Sequence, residues 1–177
     1  KDLLYCDPKD SKKRSHCILI LNILLQCLLK WFAPILSFTT EEIFRLINKN
    51  KNESSIHLKN FVDIPKKWKN DDLNSKWEKI KKIRDEAYIS IENKRANKII
   101  GSSLEANINI KLKGNLYNIS KNEDFSEICI TSHASIVQDD NIENDIEIVT
   151  EKAEGNKCPV CWKISKSACE RHGHLKL

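Results

Sequence analysis

The sequence has 177 residues, 40% hydrophobic and 31% charged, with a formal net charge of +5. These proportions suit a globular protein and exclude collagen-like and wholly disordered chains. With 4 glycines and no Gly-x-Gly-x-x-Gly or Gly-x4-Gly-Lys-Ser/Thr pattern, phosphate-cradling loops are not expected in this stretch.

No methionine occurs, and an initiator is seldom trimmed ahead of a large residue such as Lys1, so the chain reads as a piece of a longer one. Lys (25), Ile (24) and Asn (17) are abundant, and all three are encodable by A/T-only codons, so part of the lysine excess is compositional drift. The placement of charge says more than its total. Residues 1–65 carry +3, 66–113 carry +6, 114–154 carry −8 and 155–177 carry +4. Two basic regions flanking an acidic one suit contact with a polyanion. Seven cysteines, an odd number, argue against a closed disulfide framework. Cys6, Cys17, Cys27 and Cys129 are expected as free thiols in a reducing cytoplasm.

In chain order, residues 17–36 are apolar enough to raise the question of a membrane span. Asn22, Gln26 and Lys30 form a polar stripe at i, i+4 and i+8, and Pro34 ends the run, so a core helix of a bundle is predicted. Thr39 and Glu42 have capping-box spacing for a second helix, with Phe38 stapled onto Ile43, running to about Ile47. The polar run Asn48–Ser55 follows. A third helix is predicted from about Leu73 to Ala96, with Leu73, Trp77, Ile80, Ala87 and Ile91 near helical period. Its other face carries Lys76, Lys79, Lys82, Lys94 and Arg95. The period then changes: Ala106, Ile108, Ile110 and Leu112 alternate with polar residues, as in a half-buried strand. Glu127–Thr131 and Asp145–Thr150 are further strand candidates, giving a small α+β unit over 98–152.

The chemistry-bearing motif is terminal. Cys158 and Cys161 form one Cys-x2-Cys pair, and Cys169 and His172 a Cys-x2-His pair seven residues on. Four N/S ligands suit tetrahedral Zn²⁺, and with every position filled the ion is structural rather than catalytic. His174 competes with His172 for the fourth position. Trp162, directly after a ligand, is poorly placed for a large core and suits stacking on an unpaired base, or packing on the zinc loops. Lys157, Lys163, Lys166 and Arg171 suit either phosphate contact or balance of the thiolate charge.

Several stretches together resemble the C-terminal region of bacterial isoleucyl-tRNA synthetases, a class I family. They are Lys1–Cys6, Trp31–Ile43 with its Trp-Phe-Ala-Pro-Ile core, Ile56–Leu58, Arg84–Ala106, and Glu151–Gly155 leading into Lys157–Trp162. The resemblance covers essentially the whole chain in order. It implies a multi-domain α+β architecture: an anticodon-binding helical bundle over 1–75, a junction domain with the basic helix over 76–152, and a zinc ribbon over 155–177. It also implies tRNA(Ile) as partner, with Trp162 stacking and Lys94, Arg95, Lys163 and Arg171 on phosphates. Isoleucine activation with ATP and Mg²⁺, and editing of mischarged valine, would lie in upstream domains, leaving no catalytic residue here. A cytoplasmic monomer with no membrane association is expected. Lys163–Ser167 is similar to that family's catalytic Lys-Met-Ser-Lys-Ser loop, but its place between the zinc pairs marks it as coincidence. The family usually ends in two Cys-x2-Cys pairs, so His172 is a departure. The competing readings are a zinc-ribbon DNA-binding module like that of formamidopyrimidine-type glycosylases, and a purely structural zinc domain.

Overall fold

Local sequence and burial organise the chain into two units, Lys1–Lys69 and Asn70–Leu177. The computed structural model describes residues 2–49 and 55–173. Most of the polar run after Ile47 and the alternative ligand His174 lie outside the described residues.

The first unit contains α1 (Asp2–Tyr5), α2 (Lys12–Phe32) and α3 (Ser37–Ile47), followed by a 3-10 turn at Ile56–Leu58. The Ser11 hydroxyl caps α2 by accepting the Arg14 N–H at 3.3 Å. Leu29, Ala33, Phe44 and Ile56 form a small core. Among the described residues, the predicted core helix is covered only in part, mainly over its C-terminal turns. Of α2, Cys27 and Leu29 are buried, while Leu19, Ile20, Leu24, Leu28 and Trp31 are exposed. The elements packed on it within this unit are α1, α3 and the 3-10 turn, too few to cover a helix of six turns. By length and composition α2 is able to cross a membrane, with a hydropathy of 1.6 over its most apolar window.

The capping box is not formed. α3 begins at Ser37, two residues before Thr39, and its N-cap is Leu36, which has no side-chain cap. The turn after Pro34 presents the Leu36 carbonyl to the helix, and Thr40 Oγ1 donates to it at 2.9 Å. Phe38 consequently points to solvent, 92% exposed, and staples nothing. Glu41 takes over the role of tether. It accepts from Arg45 Nε at 2.6 Å, the Ser55 hydroxyl at 2.8 Å and the Ile56 N–H at 3.0 Å. The Arg45 bond, then those from Ile56 and Ser55, lower its pKa to about 2. A carboxylate depressed by folding stabilises above its unfolded pKa and loses that contribution as pH falls towards the folded value. Acid titration of helicity should therefore show stability lost between about pH 4.5 and 2, and Glu41→Gln should flatten that part of the profile.

The second unit is built on α4 (Asp71–Ala96) and a three-stranded sheet. α4 starts two residues ahead of Leu73 because Asn70 Oδ1 accepts the Leu73 N–H at 2.8 Å. Ile80, Ile83, Ala87 and Ile91 are buried on one face, whereas Leu73 and Trp77 of the predicted stripe are exposed. Strand β1 (Ala106–Leu112) is central, parallel to β2 (His133–Gln138) and antiparallel to β3 (Ile146–Lys152). Ala106, Ile108, Ile110 and Leu112 alternate inward onto α4, as predicted. Glu127–Thr131 is not a strand. Asp124 caps the helix α6 (Phe125–Ile128) through the Ser126 and Glu127 N–H groups, and Phe125 and Cys129, four apart, are both buried. Helical spacing of the two large apolar residues defeats alternation there. α5 (Gly114–Ser120) and α6 together form the crossover between the parallel strands β1 and β2. The architecture is a mixed helix-and-sheet fold carrying a Cys/His cluster at residues 156–173.

α4 ends in a Schellman turn, with the Ile99 N–H on the Lys94 carbonyl at 3.0 Å and the Lys98 N–H on Arg95 at 2.9 Å. Lys98 holds φ 58°, where glycine carries no Cβ penalty. Lys98→Gly should raise the unfolding free energy by about 1 kcal/mol, read as a shifted urea midpoint.

Candidate metal centre and nucleic-acid interface

The last described residues fold as two turns facing each other. The short strands β4 (Asn156–Lys157) and β5 (Ile164–Ser165) pair antiparallel, and Cys158 and Cys161 sit in the turn between them. That turn closes through the Trp162 N–H on the Cys158 carbonyl at 3.0 Å and the Cys158 N–H on Lys163 at 2.9 Å. The second turn repeats the device: the Gly173 N–H donates to the Cys169 carbonyl at 2.8 Å. In both, the residue after the second ligand is left-handed, with φ 65° at Trp162 and 60° at Gly173. Two residues between the ligands, closed this way, aim both side chains at one point.

The ligand atoms of Cys158, Cys161, Cys169 and His172 all lie within 4.8 Å of one another. Cys161 Sγ is 3.7 Å from Cys169 Sγ, and His172 Nδ1 is 3.5 Å from Cys158 Sγ and 3.3 Å from Cys169 Sγ. A tetrahedral ion ~2.3 Å from sulfur and ~2.1 Å from nitrogen has S···S and S···N edges of roughly 3.8 and 3.6 Å. The donor set therefore fits such an ion, with Nδ1 as the ligating nitrogen. Burial opposes ionisation of Cys158, but the N–H groups of Cys161 and Val160 and the adjoining thiols outweigh it and hold its pKa at about 6. Cys161 is pushed up to about 12, first by burial and then by the neighbouring Cys158 and Cys169 sulfurs. A cluster in which one thiolate makes the next harder to form is one a cation relieves.

Trp162 is 58% exposed, with Lys157 Nζ 5.1 Å from its ring centroid. Lys163 Nζ turns inward and donates to Ser126 Oγ at 3.0 Å. Lys166 pairs with Glu154 at 2.6 Å. Arg171 borders a cleft of about 480 Å³ between these turns and the α6–β2 corner, which Asp124, Glu127 and Lys163 also line. Lys94 and Arg95 stand apart from these, in the last turn of α4, where Arg95 pairs with Glu92 at 2.6 Å. Arg95, Lys98 and Lys152 line a separate depression that shares no residue with the first cleft. Ser126, Ser132 and His133, which anchor the cysteine-bearing turns to the α6–β2 corner, carry no motif signal. Isolated serines are too common in sequence to stand out.

Residues 1–110 match the family described as the anticodon-binding domain of tRNA ligase. The chain belongs to that family. The match spans α1–α4 and reaches into β1. Among curated relatives, the chain is 59% identical over 172 residues to isoleucine–tRNA ligase of Pelagibacter ubique, covering 97% of this chain and 19% of that protein. It is 40% identical over 174 residues to the isoleucine–tRNA ligase of Agrobacterium fabrum, 93% of this chain and 18% of that protein. The same ligase of Bradyrhizobium diazoefficiens is 37% identical over 179 residues. The chain thus spans about a fifth of the length of these relatives. The resemblance drawn from Trp31–Ile43 and the terminal cysteines is borne out. A DNA-glycosylase type module finds no support, since the family match lies on the helices that such a module lacks.

Proposed function

We propose that this chain is the tRNA-binding part of an isoleucine–tRNA ligase, the enzyme that joins isoleucine to tRNA(Ile) through isoleucyl-adenylate and edits mischarged valine. The observation that carries the reading is near-complete coverage of this chain by ligases of that name, the Pelagibacter ubique ligase at 59% identity among them. In this reading ATP and Mg²⁺ act elsewhere in the full-length enzyme, which works in the cytoplasm as a monomer. The anticodon-side bundle of this reading is residues 1–75, taking in the first turn of α4, with 76–152 the junction domain and 155–177 the ribbon. Cys158, Cys161, Cys169 and His172 hold one structural Zn²⁺, which supplies cross-linking of the two turns and no chemistry on substrate.

Phosphate contacts by Lys94, Arg95, Lys163 and Arg171 set register, and stacking by Trp162 reads an unpaired anticodon-loop base. The backbone at Trp162 supports this role. A bulky aromatic occupies the left-handed position that Gly173 fills in the partner turn, and more than half of it remains in solvent. Strain kept at an exposed aromatic points to function rather than packing. Trp162→Ala, which keeps the Cβ and so the left-handed backbone cost, should weaken tRNA binding by about 1–3 kcal/mol, measured by filter binding at fixed salt. An unchanged affinity would favour a ribbon that only braces the ligase. The chain by itself should show salt-sensitive tRNA binding and no isoleucine-dependent ATP–pyrophosphate exchange.

A further inference from the structure

We propose that Ser132 is a positioning residue that fixes the aim of the metal-binding ribbon against the sheet, and so the placement of Trp162 on tRNA. This rests on the tRNA-binding reading above. Ser132 is 4% exposed, at the corner where α6 hands over to β2. Its hydroxyl donates to the Leu104 carbonyl at 2.5 Å and accepts the Ile164 N–H at 2.6 Å. Its own N–H donates to the Ala106 carbonyl at 3.1 Å. A hydroxyl has one proton. With that proton committed to Leu104, the oxygen faces Ile164 as an acceptor, and the relay runs in one direction only.

The next residue completes the hold. His133 Nε2 is 3.0 Å from the Ile164 carbonyl oxygen, so consecutive side chains take both the N–H and the C=O of Ile164. Ile164 is in β5, two residues after Trp162 and three after the ligand Cys161. A strand gripped by one hydrogen bond pivots about it, whereas one gripped on both sides of a residue has its direction fixed. Lys163 Nζ on Ser126 Oγ adds a third, more flexible tie.

The corner that presents Ser132 is itself held off its relaxed shape. Ile130 sits at φ 56°, an outlier for a β-branched residue, and is 54% exposed, so packing does not explain it. The fully buried Thr131 keeps the corner in place, its N–H on the Ser126 carbonyl at 3.0 Å and its hydroxyl on the His133 carbonyl at 3.1 Å. Local strain retained two residues from the clamp is what a fixed orientation requires. The metal ligands come from the ribbon alone, so ribbon folding and ribbon aiming are separable.

The test uses full-length ligase carrying Ser132→Ala, Ser132→Thr, His133→Ala or Cys158→Ser. Ser132→Ala should raise KM for tRNA roughly tenfold, with kcat, zinc stoichiometry and ATP–pyrophosphate exchange unchanged. His133→Ala should raise KM about threefold, and Ser132→Thr, which keeps the hydroxyl, should restore most of the loss. An unchanged KM in both alanine variants overturns the proposal, as does loss of zinc from Ser132→Ala, which would make Ser132 part of the ribbon's own fold. Cys158→Ser separates the two ideas. A raised KM there with normal Ser132→Ala kinetics overturns the positioning role alone. An unchanged KM in Cys158→Ser and the alanine variants removes the ribbon from tRNA recognition altogether.

Discussion

With Zn²⁺ held as proposed, stripping it, or replacing Cys158 with Ser, should unfold residues 155–173 and leave α4 and the sheet intact. The reason lies in what the ribbon buries. Within 156–173 the buried residues are Cys158 and Cys161, both in the Cys/His cluster, while Val160 and Trp162 are exposed and Ile164 is half-buried. Among these described residues no apolar side chain offers an organising centre in place of a metal ion. Structural zinc contributes about 10–16 kcal/mol to comparable small sites, against which β4 and β5 offer two residues of pairing each. The body of the second unit, by contrast, buries Ile80, Ile83, Ile108, Ile110 and Phe125 without help from the ribbon. A chelator should therefore open trypsin cleavage at Lys163, Lys166 and Arg171 while amides of β1 and α4 stay protected from exchange. Metal uptake should release protons at neutral pH, because the Cys161 thiol, pushed up to about 12, is protonated until the ion arrives. Affinity consequently rises with pH. Intact protease resistance in excess chelator would show that the ribbon holds itself together.

What could be read from sequence follows from how each element is built. β1 was legible because one face is fully buried, so Ala106, Ile108, Ile110 and Leu112 had to alternate. The clustering of Cys158, Cys161, Cys169 and His172 was legible because a two-residue turn sets the spacing of both pairs, whatever surrounds them. β2 escaped notice because it is an edge strand whose inward face shows only Ala134 and Ile136, both half-buried, before Val137 breaks the alternation. The neighbouring run Glu127–Thr131 mimics a strand in composition, yet five residues are too few to separate alternation from one helical turn. The capping box failed for a different reason. Thr-x-x-Glu spacing exists at Thr39 and Glu42, but the turn after Pro34 starts the helix earlier, and Glu41 is drawn to Ser55 and Ile56, distant in sequence. Basic residues were legible as charge but not as geometry. The bond from the Lys163 amine to Ser126, for example, has no counterpart in the local sequence pattern.

Gly155→Ala should damage the metal centre as strongly as loss of a tie outside the ligands can. Gly155 holds φ 126°, a region L residues rarely adopt, just ahead of β4. A Cβ built there would lie 2.2 Å from the Ser165 carbonyl oxygen, 2.3 Å from its carbon and 2.6 Å from the Lys166 nitrogen. All three are backbone atoms, so no rotamer change relieves the clash, and β5 has to move. Displacing Ser165 shifts Ile164 against its clamp at Ser132 and His133, and it separates Lys157 from its partner in the β4–β5 pair that leads into Cys158. Strain and overpacking together should cost about 3–5 kcal/mol. Competition with a chromophoric chelator should show weaker zinc binding by two or more decades, with the circular dichroism of α4 unaltered. Gly173 supplies the control. It too is left-handed, at φ 60°, but nothing among the described residues lies within 4 Å of where its Cβ would be, and asparagine tolerates that conformation. Gly173→Asn should keep near-normal zinc affinity, although Gly173 directly follows the ligand His172. Equal losses in both variants would mean that the turn conformation, not the approach of β5 to Gly155, governs the site.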